Sequence, residues 1–281
     1  MASESPSFSV SILSTTVASD IDQKDDMPTI RFTNAEALFD AVRQVDVPLA
    51  DFEDLSLREK RPFRIRRYHA DQGLLILTIP TDLHEALHLE LWNEYSAKLA
   101  QNNQRRDWKA IGSTTFRSRG RHSGDGGEGD SSGGPVSERG PKGSWPTLVI
   151  EAGDSESSSA LRDDMRWWFS ASNHDVKIVL LTKFDHQNQT IIIERWEEEL
   201  QNRQGATRTR QETCGIALQP VLQQSIGITR DIATDSYHVT SGALILSFRL
   251  LFLQPPGPLQ GDYIISIAQL QAYARAVWKN V

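Results

Sequence analysis

Trp145-Pro-Thr-Leu-Val-Ile-Glu-Ala-Gly153 is the stretch on which the reading of this chain turns. Residues 147–150 form a short apolar run rich in β-branched side chains, fenced by Pro146 and Gly153, and predict a fully buried strand. Glu151 lies at its far end. An unpaired buried charge is costly, so either a cation partners Glu151 or it faces water. Ser155 or Ser157 then opens a helix whose buried side is Leu161, Met165, Trp168 and Phe169, with Arg162, Asp163 and Arg166 pointing elsewhere. Asn173 and His174 end it, and residues 176–181 form a second buried run. Strand, helix and strand in that order make a right-handed parallel crossover.

Upstream, residues 63–68 and 74–79 read as a β-hairpin closed by Pro80. Thr81 or Asp82 caps the next helix, 83–101, whose stripe is Leu83, Leu87, Leu91, Tyr95 and Leu99. His84, Glu85 and His88 fall within about one turn of each other, either as metal ligands or as a polar helix face, and the polar face is the expectation. Residues 108–116 predict a strand. Residues 119–142, dense in Gly, Ser and charge, predict a mobile loop that matches neither a P-loop nor a dinucleotide fingerprint. Downstream, 190–196 predicts a strand, 197–213 a frayed charged helix, 243–253 one long strand and 264–279 a closing helix. A short helix is expected over 33–45. Residues 1–27 read as a disordered tail, and 28–281 as a single domain with a core at about 60–200 and a C-terminal extension from about 206.

A chain of 281 residues with 38% hydrophobic and 24% charged side chains can bury a sizeable core. One cysteine, Cys214, excludes an internal disulfide and a cysteine-based zinc cluster, and it has no evident activating neighbour. The N-terminus shows no secretory signal, and the longest apolar run, 243–253, is too short to span a bilayer and carries Arg249. An intracellular protein, cytoplasmic or nuclear, is expected. The net charge of −7 argues against indiscriminate nucleic-acid binding. Its distribution is uneven, however: residues 58–121 carry 13 basic and 7 acidic side chains between two acidic flanks. That basic region points weakly to a polyanion, DNA or RNA, and equally to a solvated charged surface. The histidines are scattered, and no spacing suggests a Ser/His/Asp arrangement.

The order helix, strand, short strand around Asp130, strand, helix, strand resembles the core of the PD-(D/E)XK nuclease superfamily. So do Gly-Asp-Ser-Ser at 129–132, Pro-Thr-Leu-Val-Ile-Glu-Ala-Gly at 146–153, Ser-Glu-Ser at 155–157 and Leu-Arg-Asp-Asp-Met-Arg-Trp-Trp at 161–168, in the wording of a fungal branch. The resemblance covers roughly residues 60–200. It implies an α/β (α+β) fold of restriction-endonuclease type, an αβββαβ core with a mixed sheet flanked by helices. It also implies that Asp130 and Glu151 hold Mg²⁺, with Glu85 as an accessory carboxylate. The family's lysine stands two residues beyond the third-strand acid, and here that position is Gly153. Arg166 on the following helix and Lys183 at the end of the next strand are the substitutes, although arginine cannot shed a proton at neutral pH. Lys177 lies at the strand's opposite end, about 10 Å or more from Glu151, and is structural.

Three functions are consistent with these residues. The first is Mg²⁺-dependent hydrolysis of nucleic-acid phosphodiesters by an endonuclease using Asp130, Glu151, Glu85, Arg166 and Lys183. The second is an inactive relative that binds nucleic acid or protein through the basic 58–121 region. The third is an interaction module presenting Trp167, Trp168 and Trp196 to a partner, against their commoner burial in a core.

Overall fold

The computed structural model describes residues 8–13, 29–32, 64–69, 74–112, 114–119, 124–201 and 217–281. Six strands form an N-terminal sheet: β1 (Phe8–Leu13), β2 (Thr29–Phe32), β3 (Arg64–His69), β4 (Leu74–Thr78), β6 (Thr115–Arg117) and β7 (Gly126–Glu128), in the order β2-β1-β4-β3-β7-β6. The expected hairpin is β3–β4, paired antiparallel. Residues 8–13, expected within a disordered tail, pair in parallel with β4. The helix expected over 33–45 lies outside the described residues.

A second, seven-stranded sheet carries the centre of the molecule. It comprises β5 (Trp108–Ala110), β8 (Ser131–Pro135), β9 (Leu148–Gly153), β10 (Ile178–Asp185), β11 (Thr190–Gln201), β12 (Ala217–Asp231) and β13 (Ser236–Val239), in the order β13-β12-β11-β10-β9-β8-β5. Every residue of β9 is buried, as its apolar run predicts. β9 pairs antiparallel with β8 and parallel with β10, and α3 (Ser158–Ala171) forms the crossover between β9 and β10. Ser157 caps α3, accepting from the Ala160 N–H. The sheet is therefore mixed, and helices flank it on both faces.

Strand pleating divides β9 between two cores. Leu148, Ile150 and Ala152 pack with α1 (Asp82–Gln101) and α5 (Ile267–Val277) on one face, where Leu83, Leu87, Leu91, Tyr95 and Leu99 supply the expected stripe of α1. Val149 packs with Leu161, Met165, Trp167, Trp168 and Phe169 of α3 on the other. Trp167 and Trp168 are thus core residues, not a presented surface.

Several local expectations fail for identifiable reasons. Residues 108–116 split into β5 and β6, which join different sheets. Residues 197–201 continue β11 as strand, paired with β12 despite their charge; residues 202–216 lie outside the described set. Residues 243–253 form not one strand but β14 (Leu244–Leu246) followed by α4 (Phe248–Phe252). Phe248, Leu251 and Phe252 are buried at helical spacing. β14 pairs with β15 (Tyr263–Ile265), which takes the start of the expected closing helix.

The glycine-rich segment is the largest departure. In place of a mobile loop, residues 124–140 supply β7, β8 and the short α2 (Val136–Arg139), and all of β8 is buried. Its glycines are required by close approach. A Cβ at Gly133 would stand 2.5 Å from Trp108 Nε1, 2.8 Å from the Lys109 carbonyl and 2.9 Å from Trp92. Because one of those neighbours is backbone, Gly133→Ala should lower the urea unfolding free energy by about 2 kcal/mol. An unchanged unfolding midpoint would show that β5 and β8 have room to part.

Candidate active site

Asp130 sits immediately before β8, where that strand leaves β9. Its Oδ2 accepts from the Ala152 N–H at 2.8 Å, and its Oδ1 faces His84 Nε2 at 3.2 Å and Arg64 Nη1 at 3.1 Å. Burial alone would raise its pKa, but His84, His88 and Arg64 outweigh that and hold the carboxyl far below its usual range. Asp130 is therefore an ionised buried group. For His84, burial acts to lower the pKa, and Asp130 outweighs it and pushes the imidazole up to about 9.

Glu151 shares the β9 face of Val149 and points toward α3. The Trp168 indole N–H donates to its Oε1. Burial first, then the charges of Asp130 and Asp164, push this carboxyl well above the ordinary glutamate value, against the opposing influence of Arg67. Burial and the neighbouring carboxylates thus favour the protonated form of this strand-end carboxyl.

The positive charge comes from β3. Arg66 Nε and Arg67 Nη2 both donate to Asp164 on α3, each at 2.6 Å, and Arg66 Nη1 reaches Glu156 Oε1 at 3.3 Å. Neighbouring strand residues normally point to opposite faces. A register shift between Ile65 and Arg67 supplies the bulge that lets both side chains reach one carboxylate. Arg67 also lies over the Trp167 ring, 3.7 Å from its centroid. Three arginines of the basic region, Arg64, Arg66 and Arg67, are therefore committed to internal carboxylates. Arg105, Arg106 and Arg117 remain exposed.

These groups surround a cavity of about 10 Å³, room for one water-sized body. Its lining includes Asp130, Glu151, Glu128, Glu156 and Asp164, with Arg64, Arg66 and His84. Asp130 and Glu151 are thus brought together. Glu85 is not in the lining: it lies beyond Arg64, which donates to it at 2.9 Å, and beside His88. Arg166 is exposed and pairs with Asp163 on the outer face of α3, away from the cavity. Lys183 stands opposite Gly153 rather than Glu151, and its ammonium is tied to the Asp154 and Glu156 carbonyls. Leu161 closes the Gly153 position, because a Cβ there would lie 2.5 Å from Leu161 Cδ1. Lys177 bonds the His174 carbonyl, consistent with a structural role.

Sequence reasoning missed Arg64, Arg66, Glu128 and Asp164, which lie on other strands or read as a solvated helix face. It also placed His84 and His88 on a polar face, whereas both are buried. Their i, i+4 spacing around Glu85 was the available signal, the pattern His-Glu-x-x-His. Oxygen donors on two neighbouring strands, Asp130 ionised and Glu151 with its pKa raised by burial and by neighbouring carboxylates, fit a hard divalent ion.

Two measurements check this network. Asp164→Asn leaves two buried guanidiniums short of a counter-charge and should cost about 3 kcal/mol in chemical denaturation; a loss below about 1 kcal/mol would mean that water already screens the pair. His84 has a folded pKa of about 9 against an ordinary 6.5. Its stabilisation is complete below pH 6.5 and is lost as pH rises through 9. In chelator, wild-type stability should therefore fall by up to about 3 kcal/mol between about pH 6 and pH 10, and His84→Asn should flatten that fall.

No protein-family model matches the chain, and no curated protein matches it. Among solved structures it is similar to a candidate nuclease belonging to DUF820 from Anabaena variabilis. The identity is 16%, over 58% of this chain and 91% of that one, with a TM-score of 0.36. At that level of superposition the likeness does not bear on activity. No helix among the described residues is long and apolar enough to cross a membrane.

Proposed function

We propose that this chain is a metal-dependent nuclease that hydrolyses phosphodiesters of DNA or RNA, with Asp130 and Glu151 holding Mg²⁺. One observation carries the reading: two acids from adjacent strands line a single ion-sized cavity, flanked by Arg64 and Arg66. Bound there, a divalent ion supplies Lewis-acid polarisation of a phosphoryl oxygen and lowers the pKa of a water. The chain's own residues do the rest. Asp130 is held ionised and fixed by the Ala152 N–H. Positive charge beside Glu151 offsets the burial and the carboxylates that raise its pKa. Arg64, whose side chain is about one-fifth exposed, is the guanidinium closest to a solvent-borne phosphate, and Glu85 orients it.

Purified full-length chain should cleave single- or double-stranded DNA or RNA in Mg²⁺ or Mn²⁺. Glu151→Gln and Asp130→Asn should each lower the rate at least about 100-fold, roughly 3 kcal/mol of transition-state stabilisation. Equal background rates in wild type and both variants would remove the catalytic reading.

A second reading has its own support. Among the described residues no lysine lines the cavity, Gly153 is closed off by Leu161, and Arg66 stays charged because Asp164 and Glu156 outweigh its burial. With no lysine there to take the part of the family's lysine, the fold would serve as a binding module. Tight nucleic-acid binding that weakens steeply with salt, without product in any metal, would favour it.

A further inference from the structure

The buried imidazoles of α1 point to chemistry that hard oxygen donors do not provide. His84 and His88 stand one helical turn apart on the same face, and both are essentially inaccessible to solvent. His88 meets β8 at Ser131, while His84 also lines the cavity that holds Asp130 and Glu151. His88 Nδ1 lies 2.9 Å from Ser131 Oγ. With that nitrogen carrying the hydrogen, Nε2 presents its lone pair inward. Nε2 is buried without a hydrogen-bond partner, although Glu85 Oε2 lies only 3.3 Å away. His84 Nε2 is likewise 3.2 Å from Asp130 Oδ1. One ligand atom from each of His84, Glu85 and His88 lies within 4.8 Å of the others.

The 3.3 Å His88–Glu85 and 3.2 Å His84–Asp130 separations match neighbouring donors of a small coordination sphere, and the ligand atoms of His84, Glu85 and His88 together lie within 4.8 Å. An ion bonded at about 2.0–2.1 Å to four tetrahedral donors sets neighbouring donors roughly 3.3 Å apart. We propose that His84 and His88, with Asp130 and Glu85, form a site for a first-row transition ion of the zinc class. Ser131 is its positioning residue, orienting the His88 ring as an outer hydrogen-bond partner does. Two imidazoles favour such an ion over Mg²⁺, which takes oxygen ligands and retains water. Arg64 now spans Glu85 and Asp130 and supplies the charge that those carboxylates require. An entering ion takes that place, and the partly exposed guanidinium has solvent to turn into. The site shares Asp130 and His84 with the cavity but does not depend on phosphodiester hydrolysis.

The probe is Co²⁺, whose visible absorption reports tetrahedral nitrogen and oxygen ligation, added to tag-free, chelator-treated full chain. One equivalent should give the band, and Zn²⁺ but not Mg²⁺ should displace it. His88→Ala and His84→Ala should each weaken Co²⁺ binding at least about 100-fold, Ser131→Ala about tenfold, and Glu151→Gln less than about threefold. Far-UV circular dichroism of the metal-free variants separates lost ligands from lost fold, and Ser131→Ala keeps both imidazoles should the histidine variants unfold. Absence of a tetrahedral band in wild type, or the same band in folded histidine variants, would overturn the site. Binding abolished by Glu151→Gln would also overturn it, by moving the ion to the Asp130–Glu151 cavity. Failure of nuclease activity alone leaves this experiment's outcome unaffected.

Discussion

An ionised carboxylate buried where two strands diverge sets the terms for everything around it. Asp130 takes the Ala152 N–H on one oxygen, and that charge-assisted bond fixes where β8 peels away from β9. A buried negative charge must gather cations or be neutralised. Here it gathers Arg64 from one sheet and His84 from a helix, and its charge adds to burial in raising the Glu151 pKa. Three elements distant in sequence are thus registered against one another by the electrostatics of a single side chain.

The two faces of β9 differ chemically as a consequence of its pleat. One face carries α1, with its imidazoles and Glu85 beside the aliphatic stripe. The other carries α3, with Trp168 against Glu151 and Asp164 holding Arg66 and Arg67. That double clamp fastens the N-terminal sheet to α3, and it works only because a bulge in β3 turns consecutive arginines the same way. Asp130 lies at the boundary and touches groups from both faces. A cluster so rich in carboxylates favours added positive charge.

The glycine-rich segment shows how composition misleads when packing decides. Gly, Ser and Asp between 124 and 135 have the makeup of a solvated loop, because no apolar side chain marks a buried face. Yet β8 is buried throughout, since Trp92, Trp108 and the Lys109 carbonyl pack directly against its backbone. The apolar surface that the strand lacks is supplied by its neighbours. Residues 243–253 mislead in the opposite sense: alternating Leu and Phe satisfies a strand pattern and also places Phe248, Leu251 and Phe252 on one side of a helical turn.

The chain's own residues determined the strand at 148–153, the helix after it, the parallel return at 178–185 and the aliphatic stripe of α1. Each carries a local period or cap that survives in one dimension. The pairing of Asp130 with Glu151 could be placed only through resemblance, because their separation of 21 positions has no periodic signature. Tertiary structure alone decided which cations meet those acids. Arg64, Arg66 and Arg67 read as part of a basic surface until long-range strand pairing turned them inward, and Arg166 read as a candidate until α3 presented it to solvent. A charged side chain looks the same in sequence whether buried or bathed in water. Its partner sits on another strand, and only the folded sheet brings the two within reach.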